Sequence, residues 1–425
     1  MIGGLMKTTS RFALATAAVG LMASGAMAAD LGGNCCADLE ERVAELEATT
    51  ARKGNRKVSL TVYGQVNKAI MWHDSDEIDA YRSDKLSVYD NQAGTTRFGF
   101  RGSAKIRPDF EVGYNIEVGL NENKGTSSSG SSGAFNIRHS YFYMDDTRLG
   151  RVSVGQTSQV TDGLFGINLG NTLLTQLGTD QDGYLGQAFE NTFGDVYDGA
   201  RRQGVYYRSP TVAGFVLGTG YSHGTRGTPT SLSGTGTVGS DDSADYWEVA
   251  LRYAGEFNGI RIAAGIGYRY EDLNNGTGGA SDTENDVWLG SASTMHVPTG
   301  LFLSGGYGNI DSNNAFVSQQ GWWLIAGIQR NFFGPGATTF YGEYGDVDFD
   351  NESIDLVRGR IGDRMDGNYW GLGLVQTVDA AAMDLYLQYR RYSLDGGTFV
   401  GADEELVDVP GSDASVIKAG AIIRF

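Results

Sequence analysis

From Val58 onward apolar and polar residues alternate. In Val58-Ser-Leu-Thr-Val-Tyr-Gly-Gln-Val66 the apolar residues occupy the even positions and most polar ones the odd. Thr96-Arg-Phe-Gly-Phe-Arg-Gly-Ser-Ala-Lys-Ile106 sets Phe98, Phe100, Ala104 and Ile106 against Arg97, Arg101 and Lys105, and 110–120 alternates more cleanly still. Period two predicts strands with one apolar and one wet face. Similar segments recur near 134–144, 151–156, 203–209, 212–222, 246–254, 259–271, 284–296, 300–308, 320–331, 337–346, 367–378, 381–394 and 413–425. The total is about sixteen, the even number that closed antiparallel membrane barrels have.

The connections point the same way. Short links (107–109, 209–211, 256–258) alternate with long Gly/Ser/Asp-rich ones (121–133, 222–245, 271–283), the layout of an outer-membrane barrel. A soluble β-sandwich also alternates, but its strands are usually shorter. Several here reach the length a tilted strand needs to cross a bilayer. Tyr63, Trp72, Tyr141, Tyr143, Tyr253, Tyr268, Tyr270, Trp322, Trp323, Tyr389 and Tyr392 lie near segment ends, which suits aromatic girdles at the membrane interfaces. The expected class is therefore all-β, a transmembrane antiparallel barrel of about sixteen strands.

One stretch breaks the alternation. From about Gln156 to Gln203 the chain is rich in Gly, Asn, Thr and acids, among them Asp162, Asp180, Asp182, Glu190, Asp195 and Asp198. A connection this long is either disordered or functional, and we expect it to fold into the tube and narrow it.

Composition adds limits. The 425 residues include 63 glycines but 6 prolines, with 22 tyrosines and 19 phenylalanines, a mixture suited to many strands and tight turns. The net charge of −18 argues against a nucleic-acid partner, since phosphate contacts need a basic surface. Lys7 and Arg11, the apolar run Phe12–Leu21 and Ala26-Met-Ala28 read as an export signal over 1–28, with Met6 an alternative initiator. Residues 29–57 are expected to form a periplasmic N-terminal segment, in which Leu39, Val43 and Leu46 repeat at four-then-three spacing, as in a short coiled coil between identical chains or an amphipathic turn packed on its own domain. The barrel domain is 58–425. Cys35 and Cys36 are adjacent, closer than bridged residues usually stand, so they pair between chains or not at all. Four scattered histidines leave too few ligands for a zinc site, and no cofactor is expected.

The final strand, Ser415-Val-Ile-Lys-Ala-Gly-Ala-Ile-Ile-Arg-Phe425, ends in an aromatic, similar to the C-terminal signature of outer-membrane barrels. With Asp38-Leu-Glu-Glu-Arg-Val-Ala-Glu-Leu46, Lys57-Val-Ser-Leu-Thr-Val-Tyr-Gly-Gln65, Thr96-Arg-Phe-Gly-Phe-Arg-Gly102, Arg151-Val-Ser-Val-Gly-Gln156 and Arg202-Gln-Gly-Val-Tyr-Tyr-Arg-Ser-Pro-Thr-Val-Ala-Gly-Phe215, the chain resembles the general bacterial porins. Its likeness is to their alphaproteobacterial branch. The resemblance implies a homotrimer of sixteen-stranded barrels in outer-membrane lipid and lipopolysaccharide, the third loop of each barrel folded inward as a constriction. It implies passive diffusion of small hydrophilic solutes and ions.

Carried over residue by residue, Arg97, Arg138 and Arg202 match wall arginines of that family. Alternation independently puts Arg97 and Arg101 on one polar face, and sets Arg138 beside Ser140. Glu190 lies where the family carries a loop acid, with Asp182 and Asp195 as further candidates for the acidic side of the constriction. The acidic loops suggest a weak cation preference. A hydrolase is disfavoured because His139 and Ser140 are adjacent on a strand and point to opposite faces. The alternative is a plugged structural or adhesive barrel.

Overall fold

The computed structural model describes residues 57–75, 86–120, 135–172, 197–224, 244–273, 283–313, 318–349, 366–395, 397–400, 406–409 and 411–425, with Leu185, Phe189, Thr192 and Phe193 inside the long loop. The expected export signal and short coiled coil, and Cys35 and Cys36, lie outside these residues. The strands in chain order are β1 (Thr61–Ser75), β2 (Leu86–Asp90), β3 (Arg97–Arg107), β4 (Phe110–Leu120), β5 (Phe135–Asp146), β6 (Gly150–Ser158), β7 (Arg201–Arg208), β8 (Phe215–Gly224), β9 (Ala244–Phe257) and β10 (Ile260–Leu273). They continue as β11 (Thr283–His296), β12 (Leu301–Ser312), β13 (Gln319–Arg330), β14 (Thr338–Phe349), β15 (Gly367–Val378), β16 (Met383–Leu394), β17 (Gly397–Val400), β18 (Leu406–Val409) and β19 (Ser412–Arg424).

Each strand pairs antiparallel with its neighbour, and β19 bonds to both β16 and β1. The sheet therefore closes on itself. Closure is what lets strands cross lipid, where an unpaired edge has no water to bond. Gly64 and Phe425 exchange backbone hydrogen bonds of 2.9 and 3.0 Å at the seam. One barrel position is shared: β1 pairs with β2 through 68–72 and with β3 through 61–65. Between them a short turn at Gln92–Gly94 interrupts the ladder. Counting β2 and β3 as one position gives a sixteen-strand barrel, with β17 and β18 as a separate hairpin. The interruption and the hairpin lie outside the predicted segments, because neither piece is long enough to show a period.

Short turns gather at one rim. Asn258 and Gly259, with φ of 50° and 76°, join β9 to β10 in the left-handed conformation that matches the twist of a two-residue hairpin. Among the described residues no helix is long and apolar enough to cross a membrane. The strands carry the crossing instead.

Along β9 and β11 one set of side chains is buried and the other largely exposed. The exposed side of the sheet carries apolar residues: Val66 and Ile70, Val249 and Leu251, Leu301 and Leu303. This is the lipid face. Outward Tyr–Trp pairs stack on adjacent strands, Tyr221 with Trp247 at 4.5 Å, Tyr268 with Trp288 at 4.7 Å and Trp322 with Tyr344 at 5.4 Å. They form the expected interfacial girdle. Not every aromatic expected there belongs to it. Tyr63, Tyr141, Tyr143, Trp323 and Tyr392 fall on the opposite parity of their strands, and they touch lumenal groups such as Glu117, Arg151 and Phe165. Proximity to a strand end sets height in the barrel, whereas parity sets the face.

Leu251 stands mid-strand on the outer face. Leu251→Arg should destabilise the barrel by about 2–4 kcal/mol, the price of a basic side chain near the bilayer midplane. Urea titration of the barrel folded into lipid vesicles checks this.

Candidate functional site: the lumen and its inward loop

β6 and β7 have 9 and 8 residues, too short to run the full height reached by β9 and β10. The chain between them leaves the wall partway up and enters the barrel. Gln159 and Ala200 close its stem through bonds of 2.9 Å in both directions, one from the Gln159 backbone N–H and one accepted by its side-chain oxygen. The expectation of an inward fold holds for the described residues.

The wall is built to receive the loop. The Glu248 carboxylate accepts from the backbone N–H groups of Val160 and Thr161 at 2.8 and 2.9 Å and from the Thr161 hydroxyl at 2.7 Å. Arg252 donates to the Val160 and Asp162 carbonyls at 3.1 and 2.6 Å. Ser291 accepts from the Ile167 N–H at 2.9 Å and donates to the Leu164 carbonyl at 2.5 Å, and the Trp323 indole donates to the Phe165 carbonyl at 2.8 Å. A loop buried in a tube must place its backbone groups on side chains, since no strand partner is available. Glu248, Arg252, Ser291 and Trp323 do this.

Apolar contact completes the joint. Val160, Leu164, Phe165, Ile167 and Tyr197 pack with Ala250, Ala263, Val287, Leu289, Phe302 and Ile325 in one buried cluster. Leu164 lies over Gly265 and Gly267, where an added Cβ would stand 2.4 and 2.6 Å from its methyl carbons. Further along, Leu185 and Phe189 join Tyr89, Tyr392, Leu394 and Val416 on the other side of the barrel. Each large apolar side chain sealed this way contributes about 1.5–3 kcal/mol relative to exposure in the lumen.

The loop thus covers one sector and leaves another open. Every inward residue of β11 from Thr283 to Met295 is buried, whereas Arg101 and Lys105 of β3 are exposed and Glu111, Tyr141, Tyr143 and Arg151 are half-buried. The open arc runs along β3 to β7.

Two of the expected wall arginines meet there. Arg138 donates to Glu117 at 2.7 Å, and Arg97 lies 3.7 Å from the same carboxylate oxygen. The Tyr63 hydroxyl, shared between Asn115 Oδ1 at 2.8 Å and the other Glu117 oxygen at 3.0 Å, joins them, and His139 lies 3.9 Å from Glu117. Arg101 is on the same face of β3 as Arg97, with its guanidinium 5.0 Å from the centre of the Tyr63 ring. Arg202 stands apart, 3.7 Å over the ring of Tyr246. Asp182, Glu190 and Asp195 lie outside the described residues.

The expectation that Arg138 shares a face with Ser140 is corrected. The register slips between Glu117 and Val118, which pair with His139 and Ile137, so Arg138 is the extra residue of a β-bulge. Two residues opposing one let Arg138 and His139 both turn inward, while exposed Ser140 continues the outward series of Phe142 and Met144. Gly119 makes room, since a Cβ there would meet the Arg138 stem at 2.9 Å. His139 and Ser140 do point to opposite faces.

Glu117, Arg151, Tyr63, Tyr143 and Glu248 are lumenal residues not expected there: position along the chain assigns the two tyrosines to the girdle and the other three to no site. Alternation would have found the first four, each of which shares the parity of a recognised polar face. Nothing local distinguishes Glu248 as a loop anchor, because its partners are 87 and 88 residues distant.

The sequence matches the family model for the Gram-negative porin over residues 15–397. The chain belongs to the Gram-negative porin family. No curated protein matches the chain by sequence. Solved structures show the fold. The anion-selective porin from Comamonas acidovorans is similar with a TM-score of 0.59 at 18% identity, over 87% of this chain and 100% of that one. OmpF of Salmonella typhi, in a complex with daunomycin, gives 0.54 at 15% over 87% and 98%. OmpT of Vibrio cholerae gives 0.52 at 14% over 88% and 99%. The porin is a multi-pass β-barrel of the outer membrane and a channel for passive diffusion.

Gly267→Val should push Leu164 off the wall, and Glu248→Ala should release the start of the loop. Both variants of the porin should show larger single-channel conductance and noisier open states than the unmodified channel, measured in planar bilayers.

Proposed function

We propose that the porin is a homotrimer embedded in outer-membrane lipid and lipopolysaccharide, in which each barrel passes small hydrophilic solutes and ions with no binding step and no cofactor. A channel whose open wall carries charged and hydroxyl groups keeps water and ions solvated as they pass. The observation that carries this reading is the divided lumen: one sector sealed by the loop, the arc from β3 to β7 lined by water-accessible polar side chains.

At the narrowest section Arg97, Arg101, Arg138 and Arg202 form the basic wall, and Asp182, Glu190 and Asp195 of the inward loop supply the opposing acids. Opposed charges across a low-dielectric gap set up a transverse field that orients polar solutes. Support comes from the convergence of Arg97 and Arg138 on Glu117 at 3.7 and 2.7 Å. Residues 1–28 are an export signal and 29–57 a periplasmic segment. The matches at 38–46 and 57–65 support membership of the alphaproteobacterial branch.

Trimers purified in detergent should insert into planar bilayers as ohmic steps, and liposomes carrying them should swell in neutral sugars at rates that fall with solute size. Non-conducting trimers would favour the plugged barrel instead.

A further inference from the structure

The open arc carries an unbalanced charge, and its arginines are held in an unusual way. The ring of Tyr63 lies against Gly99, where a Cβ would stand 2.7 Å from the ring, and the ring of Tyr143 lies against Gly113, where the distance would be 2.4 Å. Only a missing side chain lets each tyrosine lie so close to the wall. Arg101 then rests 5.0 Å above Tyr63 and Arg151 4.1 Å above Tyr143. Stacking on a ring holds a guanidinium in place through its face, which leaves the edge donors of Arg101 for passing solutes, while those of Arg151 go to Asp145.

The carboxylates of this arc, Glu111, Glu117 and Asp145, do not neutralise Arg97, Arg101, Lys105, Arg138 and Arg151. Glu117 serves both Arg97 and Arg138, and Asp145 pairs with Arg151 at 2.5 Å. Among the described residues no ion pair engages Arg101 or Lys105. Elsewhere two inward pairs are matched and sealed, Arg269 with Glu271 at 2.7 Å and Arg390 with Glu343 at 2.9 Å. Several acids contributing to the net charge of −18 stand on the outward parity of their strands, among them Asp245, Asp286, Asp311 and Asp348. They cannot act on an ion inside the barrel as strongly as the wall does, because water screens separations beyond about 8 Å at physiological salt.

We infer that the β3–β7 arc is an anion track, favouring small inorganic anions and carboxylates over cations, with Arg101 held on Tyr63 as a specificity-determining residue. This rests on the channel reading above, and it reverses the weak cation preference that the acidic loops suggest. A hydrated anion entering the arc exchanges water for guanidinium edges, while a cation meets an excess of like charge.

The test is the reversal potential of the full porin in planar bilayers under a potassium chloride gradient. The unmodified porin should be more permeable to chloride than to potassium. Arg101→Glu should lower the chloride-to-potassium permeability ratio severalfold, and Tyr63→Ala, which removes the platform and keeps the charge, should lower it by less. Tyr63→Phe keeps the ring and should retain the ratio. Arg330→Glu makes the same charge change on the exposed outer face and should leave it unaltered. A conducting porin that prefers potassium overturns the inference and leaves the channel reading intact, as does an Arg101→Glu ratio no lower than that of Arg330→Glu. A porin that does not conduct overturns both.

Discussion

The arrangement depends on one constraint: an apolar sector of the inner wall has to be covered. A membrane barrel already presents hydrocarbon outward, so its inner face is expected to be wet. Here β9 to β14 also carry inward apolar residues, among them Ala250, Val287, Leu289, Phe302 and Ile325. Left facing water, that sector would be a large exposed apolar surface inside a pore. The loop between β6 and β7 supplies Val160, Leu164, Phe165 and Ile167 to cover it. The glycines under Leu164 let the two backbones approach closely enough for contact.

Sealing one sector fixes where solute can go. The water-accessible passage is displaced toward β3 to β7, and its chemistry is that of an arc instead of a ring. This is why charges that look alike in the sequence have different consequences. The Arg390–Glu343 pair, with side chains 2% and 1% exposed, is a buried bidentate contact whose removal on one side would strand a charge. Arg101, on β3 and exposed, is open to the passing ion. Overall charge is a poor guide to what the lumen presents.

Closure of the sheet and the inward loop stabilise each other. The loop has almost no regular structure among its described residues, and its backbone bonds end on Glu248, Arg252, Ser291, Ser293 and Trp323. These side chains stand on β9, β11 and β13. They come to one height only when the barrel has closed with its present stagger. The barrel in turn gains from the loop a cover for its apolar inner sector.

Much of this was legible in the chain. Alternation over Val58–Val66, Thr96–Ile106 and 110–120 identified the strands and the two faces, because a strand's side chains alternate whatever surrounds them. The long aperiodic stretch from Gln156 to Gln203 identified the loop. Parity was also enough to place Arg97 and Arg101 on the wet face. It failed at Arg138, where one inserted residue shifts the register against β4, and no local signal in Asn-Ile-Arg-His-Ser marks the bulge. Nearness to a strand end could not separate girdle aromatics such as Trp322 from lumenal ones such as Trp323, adjacent residues that only their opposite parity assigns to different faces. Local periodicity is a property of the backbone and is written in consecutive residues. Which inward side chains meet water and which meet the loop depends on contacts between positions as distant as Phe165 and Trp323, or Thr161 and Glu248, and only the closed barrel brings those together.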